Sequence, residues 1–162
     1  MSMPTELVPV LKRLRLSGLL ETLDLRTKEA VDEDLSLGEF LLRLCTDEVE
    51  RREQKQLGLR LRRANFDGTK RLDDFEWKFN PKIPKAKIID LATCHFVARC
   101  ESVLLLGPTG VGKSHIAKAL GERACRAGHS TVYTKAHAML LDLRAARADR
   151  TYDKKLLRYT AP

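Results

Sequence analysis

The chain has 162 residues, 43% of them apolar, and a net charge of +8. That length holds one ordinary domain or two small ones, with enough apolar material for a packed core. No apolar run approaches the roughly 18 residues that a membrane span requires. Residues 1–6 lack the basic-then-apolar order of a secretory signal, so the expectation is no membrane and a cytoplasmic location. The charge is unevenly spread. Residues 1–50 carry 6 basic and 11 acidic side chains, residues 51–100 carry 13 and 6, and residues 101–162 carry 11 and 5. An acidic first third followed by a basic remainder favours polyanionic partners such as nucleic acid.

In chain order, Leu7, Val10, Leu11 and Leu14 recur at three- and four-residue spacing and predict one helical face. Ser17-Gly18 interrupts, and a second set follows at Leu19, Leu20, Leu23 and Ala30. Ser36 and Glu39 have the spacing of a capping box, in which hydroxyl and carboxylate each satisfy a free backbone N–H. The stripe Leu37, Phe40, Leu41 and Leu44 follows, and the helix is expected to reach about Arg63. Its second half holds Arg51, Arg52, Lys55, Arg60, Arg62 and Arg63 against one acid, Glu53. These residues are either a solvated face, with Glu48 and Arg52 as an i,i+4 pair, or a surface that contacts nucleic-acid phosphates.

Residues 64–85 read as irregular, with Asn65, Asp67-Gly68, Pro81 and Pro84 as breakers. Phe66, Phe75, Trp77 and Phe79 lie among them, either to stack on bases or to pin the segment onto a neighbouring domain. A short helix is expected over Ile88-Ile89-Asp90-Leu91-Ala92, with Phe96-Val97 close behind. The four cysteines, Cys45, Cys94, Cys100 and Cys125, form no C-x-x-C pair and read as reduced, buried small residues. Cys94-His95 and Cys100 fit no standard zinc spacing.

Val103-Leu104-Leu105-Leu106 is apolar on both faces, like a strand buried in a parallel sheet. It runs into Gly107-Pro108-Thr109-Gly110-Val111-Gly112-Lys113-Ser114, which fits G-x-x-x-x-G-K-[ST]. The helical pattern Ile116, Ala117, Leu120, Ala124 follows. Glycines let successive N–H groups curl around a phosphate, and the helix N-terminus adds partial positive charge. Lys113 is expected to reach the β- and γ-phosphates of ATP, and Ser114 to ligate Mg²⁺. His115, just past the motif, reads as a packing residue at the edge of this cofactor site. No catalytic residue is assigned. Ser130-Thr131-Val132-Tyr133-Thr134 predicts a second strand, and helices are expected over residues 138–146 and 152–159. The acids after Ser114 are Glu122, Asp142, Asp149 and Asp153, and none ends an apolar strand as a second Mg²⁺ carboxylate would. Hydrolysis is therefore expected to be slow or absent.

Residues 101–117, spanning that strand and loop, resemble the P-loop of IstB-like ATP-binding proteins, the helper ATPases of a class of insertion sequences, related to the DnaC helicase loaders. Leu91-Ala92-Thr93-Cys94-His95-Phe96-Val97, Ala124-Cys125-Arg126-Ala127-Gly128, residues 141–158 and Leu14-Arg15-Leu16-Ser17-Gly18 extend the likeness over nearly the whole chain. It implies an α/β P-loop NTPase of AAA+ type with an incomplete sheet (residues 86–162), behind an all-α N-terminal domain with a basic helix and linker (residues 1–85), mostly helical overall. It also implies ATP-dependent assembly on double-stranded DNA as a homo-oligomer, delivery of that DNA to a partner transposase, and DNA contact through the basic helix. Members continue beyond a residue like Pro162 into an Asp-Asp strand, so the chain reads as truncated before it. The alternatives are a DnaC-like helicase loader, or an inactive fragment that retains only DNA or partner binding.

Overall fold

The computed structural model describes residues 6–68 and 70–161. The stretch read for a signal, Met1-Ser2-Met3-Pro4-Thr5, and the closing Pro162 lie outside them. Among the described residues the chain is mostly helical: α1 (Leu7–Arg13), α2 (Ser17–Asp32), α3 (Leu37–Ala64), a 3-10 turn (Trp77–Phe79), α4 (Lys85–Leu91), α5 (His95–Ala98), α6 (Lys113–Arg126), α7 (Ala136–Ala148) and α8 (Tyr152–Thr160). Two compact units divide it, Met1–Gln56 and Leu57–Pro162.

The first unit is built on three helices. The α1 stripe is narrower than its spacing predicts: Leu11 is buried, whereas Val10 and Leu14 are half or more exposed. The chain breaks at Arg15, which holds a left-handed φ of +57°, so Ser17 opens α2 rather than interrupting it. Leu11, Leu19, Leu23 and Leu44 form the core, with Leu7, Leu16, Leu20 and Phe40 packed against it. The start of α3 is fixed by the capping box. The Ser36 N–H donates to Glu39 at 2.9 Å, and the Glu39 N–H donates to the Ser36 hydroxyl at 3.3 Å.

The antiparallel α2–α3 contact is closed by carboxylates from α3. Gly18 allows the close approach, since a Cβ there would lie 2.8 Å from Glu48 Cα. Glu48 is buried and accepts the N–H groups of Gly18 (2.5 Å) and Leu19 (3.3 Å), while its other oxygen accepts Arg52 Nε at 2.6 Å. It thus satisfies donors that α2 leaves free at its start. One step along, Arg26 clasps Asp47 in a bidentate pair at 2.8 and 2.6 Å.

These contacts predict acid lability. The Arg26 guanidinium pulls Asp47 down to about 2. Burial pushes Glu48 up, but Arg52 and the two N–H groups outweigh it and hold the carboxyl below its ordinary range. A carboxyl that titrates lower when folded contributes its stability above its unfolded pKa and loses it as pH falls through the folded value. Far-UV denaturation followed from pH 6 downward should show a loss on the order of 2 kcal/mol from Asp47 between about pH 4 and 2. Asp47→Asn should flatten that limb; an unchanged acid limb would refute the assignment.

The second unit packs around α6. Ile116, Ala119 and Leu120 from α6 join Leu72, Phe75 and Ile88, with Trp77, Ile83, Leu91, Ala92 and Leu105 against them. Residues 70–83, irregular apart from the 3-10 turn, therefore wrap α6. Phe66 approaches Tyr133 at a ring separation of 6.0 Å, while Phe79 is exposed. In the α7–α8 hairpin, Asp142 accepts Lys155 at 2.6 Å and Tyr159 at 2.9 Å.

The expected incomplete sheet is not observed. Among the described residues there is no strand: residues 103–106 and 130–134 carry no regular secondary structure. A strand exists only through a neighbour's hydrogen bonds, and these two segments do not pair with each other. The backbone bond made by the second is Tyr133 N–H to Ala64 C=O at 2.8 Å. Residues 103–106, apolar on both faces, are covered on one. Val103 and Leu105 are half-buried, while Leu104 and Leu106 are 82% and 88% exposed. The cysteine expectation is also half corrected. Cys94 and Cys125 are buried, Cys45 and Cys100 exposed, and all four are free.

Candidate functional site

Residues 103–106 deliver the chain to a glycine loop that runs directly into α6. Gly107, Gly110 and Gly112 hold φ of +153°, +84° and +95°, angles at which a Cβ is strained. Gly112 is the residue before α6, and Lys113 is its first. Among the described residues, no backbone N–H from residue 110 to residue 115 donates to a backbone carbonyl; the first such bond is Ile116 N–H to Gly112 C=O at 3.0 Å. Consecutive free donors at the start of a fourteen-residue helix suit a polyanion.

The side chains agree with that surface. Gly107, Pro108, Thr109, Gly110 and Ser114 are exposed, and Val111, Gly112 and Lys113 are half-buried. The Lys113 amine folds over the loop and donates to the Pro108 carbonyl at 2.5 Å, whose oxygen occupies the place an anionic oxygen would take. Val111 packs toward Gly107. His115 lies edge-on to Phe75, ring centres 5.0 Å apart, with Nε2 3.1 Å from the Arg71 carbonyl.

Phe75, one of the aromatics expected either to stack on bases or to pin its segment, packs against the loop. Its ring lies so close to Gly112 that an added Cβ would meet it at 3.0 Å, and it also contacts Trp77 at 4.9 Å. The aromatic segment therefore braces the loop from behind. The only advance signal was the clustering of aromatics within a breaker-rich stretch.

The loop and Lys113 fit a triphosphate tail. For Mg²⁺, the Ser114 hydroxyl is exposed beside them. Of the four acids beyond it, three are engaged elsewhere: Glu122 is buried against Arg126 at 2.5 Å, Asp142 is held by α8, and Asp149 accepts Thr151. No group of three or more acidic, histidine or cysteine side chains able to hold a metal occurs among the described residues.

The six basic residues of α3 divide between the units. Arg51 pairs with Glu21 at 2.8 Å, Arg52 pairs with Glu48, and Lys55 is exposed, all in the first unit. In the second, Arg60 donates to the Cys125 carbonyl at 3.3 Å, Arg62 to the Gly58 carbonyl at 3.2 Å, and Arg63 is exposed.

A family model of IstB-like ATP binding proteins matches residues 9–162. A protein named for ATP binding in an insertion sequence of Mycobacterium tuberculosis is 43% identical over 152 residues, 94% of this chain and 61% of its own length. The IS21 ATP-binding protein of Pseudomonas aeruginosa is 33% identical over 151 residues, 93% and 57% respectively. That of IS232 from Bacillus thuringiensis is 30% identical over 155 residues, 96% and 62%. The chain thus spans about three fifths of the length of these relatives.

Proposed function

This chain belongs to the family of IstB-like ATP-binding proteins, and from that premise we propose that it is an ATP-binding accessory protein of insertion-sequence transposition, working in the cytoplasm. It holds the triphosphate tail of ATP with the free N–H groups of residues 110–115 and with Lys113, and Mg²⁺ through Ser114. It carries double-stranded DNA on basic helical surface and, as a homo-oligomer on that DNA, meets a partner transposase. The observation that carries the nucleotide reading is the run of free amides opening α6 behind three positive-φ glycines. Bound Mg²⁺ supplies charge neutralisation at the phosphates. With Glu122 and Asp142 committed to Arg126 and Lys155, the chain binds ATP and turns it over poorly.

The charge distribution supports the DNA arm, as do relatives named for insertion sequences. No helix of the described residues is long and apolar enough to cross a membrane. The test is duplex affinity measured with and without ATP–Mg²⁺ over a salt series. Tighter binding with ATP, falling steeply with salt, is expected. An affinity indifferent to both would defeat the reading.

A further inference from the structure

The first unit is acidic overall, with 12 acidic and 9 basic side chains across residues 1–56. Yet five of the nine bases line one concave surface of about 650 Å³ where α1 turns into α2 beside α3: Lys12, Arg15, Arg51, Arg52 and Lys55. We propose that this groove is a docking site for the sugar–phosphate backbone of duplex DNA. This inference rests on the DNA arm of the function above and assigns it a place.

The local charge balance is the argument. Arg51 is matched by Glu21, and Arg52 by Glu48, whose carboxylate is already spent on the N–H groups of Gly18 and Leu19. Lys12, Arg15 and Lys55 are exposed and have no acidic partner among the described residues. The groove keeps three uncompensated cations inside a unit of opposite net sign. Glu21, Glu48, Glu50 and Glu53 lie on the groove's half of the α2–α3 pair, whereas Glu29, Asp32, Glu33, Asp34 and Glu39 lie at the other end, where Glu29, Glu33 and Glu39 engage Arg43 and Ser36. Cations that line one concavity concentrate positive potential there.

Shape selects the ligand. The concavity is open and its cations are long, solvated arms, so nothing encloses one small anion. An extended polyanion gains from each phosphate that releases its counterions. Arg15 has a further part: its left-handed backbone turns its carbonyl onto the Arg52 guanidinium at 3.2 Å, which ties the turn to α3.

The experiment uses the full chain and the variant Lys12→Gln/Arg15→Asn/Lys55→Gln. Asparagine tolerates the left-handed angle, so the change removes charge and spares the turn. Fluorescence anisotropy with a labelled duplex gives the slope of log affinity against log salt. That slope should become shallower by about three, one unit for each phosphate that the variant no longer neutralises. An unchanged slope and affinity would overturn the groove while leaving DNA binding intact. A wild type that binds no duplex would remove the groove and the DNA arm together, with ATP titration reporting separately on the loop. Stronger binding of the wild type to phosphatidylserine vesicles than to duplex would assign the cations to a lipid surface and refute the proposal. Should the triple variant lose helicity, Lys55→Gln alone carries the test, with an expected change of about one.

Discussion

Lys113→Ala should reduce ATP–Mg²⁺ affinity by about 30- to 1,000-fold, equivalent to roughly 2–4 kcal/mol. The amine is a flexible cation at the mouth of the loop, and it already seeks an oxygen, the Pro108 carbonyl at 2.5 Å. A triphosphate replaces that neutral carbonyl with anionic oxygens, and a charge-assisted bond is about twice as strong as a neutral one. The amides of residues 110–115 remain in the variant, so residual weak binding is expected rather than none. Isothermal titration of the two proteins decides it. Equal affinities would mean that the loop does not gather a phosphate around Lys113. The helical content should be unchanged, because Lys113 starts α6 and alanine is an excellent helix former.

Legibility from sequence followed the range of the interactions. The capping box, the reach of α3 to Ala64 and the glycine loop are local, with each partner within a few residues of the other, so spacing alone exposes them. The residues that decide packing were hidden because their partners lie far along the chain. Glu48 read as half of an i,i+4 pair with Arg52, yet its larger role is to cap α2 thirty residues away. Lys12 and Arg15 carried no pattern of their own and join the basic residues of α3 only through the α1–α2 turn. The strands are not observed for a related reason. Apolar composition at residues 103–106 reports burial that a sheet would supply, but a ladder requires a neighbour that composition does not reveal.

Phe75→Ala should destabilise the second unit by about 3–5 kcal/mol, the usual cost of emptying a buried aromatic site. The ring is 7% exposed and fills the space between Gly112, Trp77 and His115. Trp77, the single tryptophan, lies in that cluster, so its fluorescence reports this unit, while far-UV dichroism averages over both. Phe75→Leu keeps apolar bulk and should cost much less, about 1.5 kcal/mol or below. A cavity next to Gly112 also loosens the loop that binds phosphate, so the alanine variant should bind ATP more weakly although Phe75 touches no phosphate itself. The two effects are linked by mass action. Nucleotide at 100 times the variant's own dissociation constant adds about 2.7 kcal/mol to the folded state, and should move the tryptophan-detected denaturation midpoint most of the way back to that of the unliganded wild type. If the alanine variant unfolds at the wild-type midpoint, the ring braces nothing. If it is destabilised but binds ATP with wild-type affinity, the bracing stops short of the loop, and the phosphate cradle is held by α6 alone.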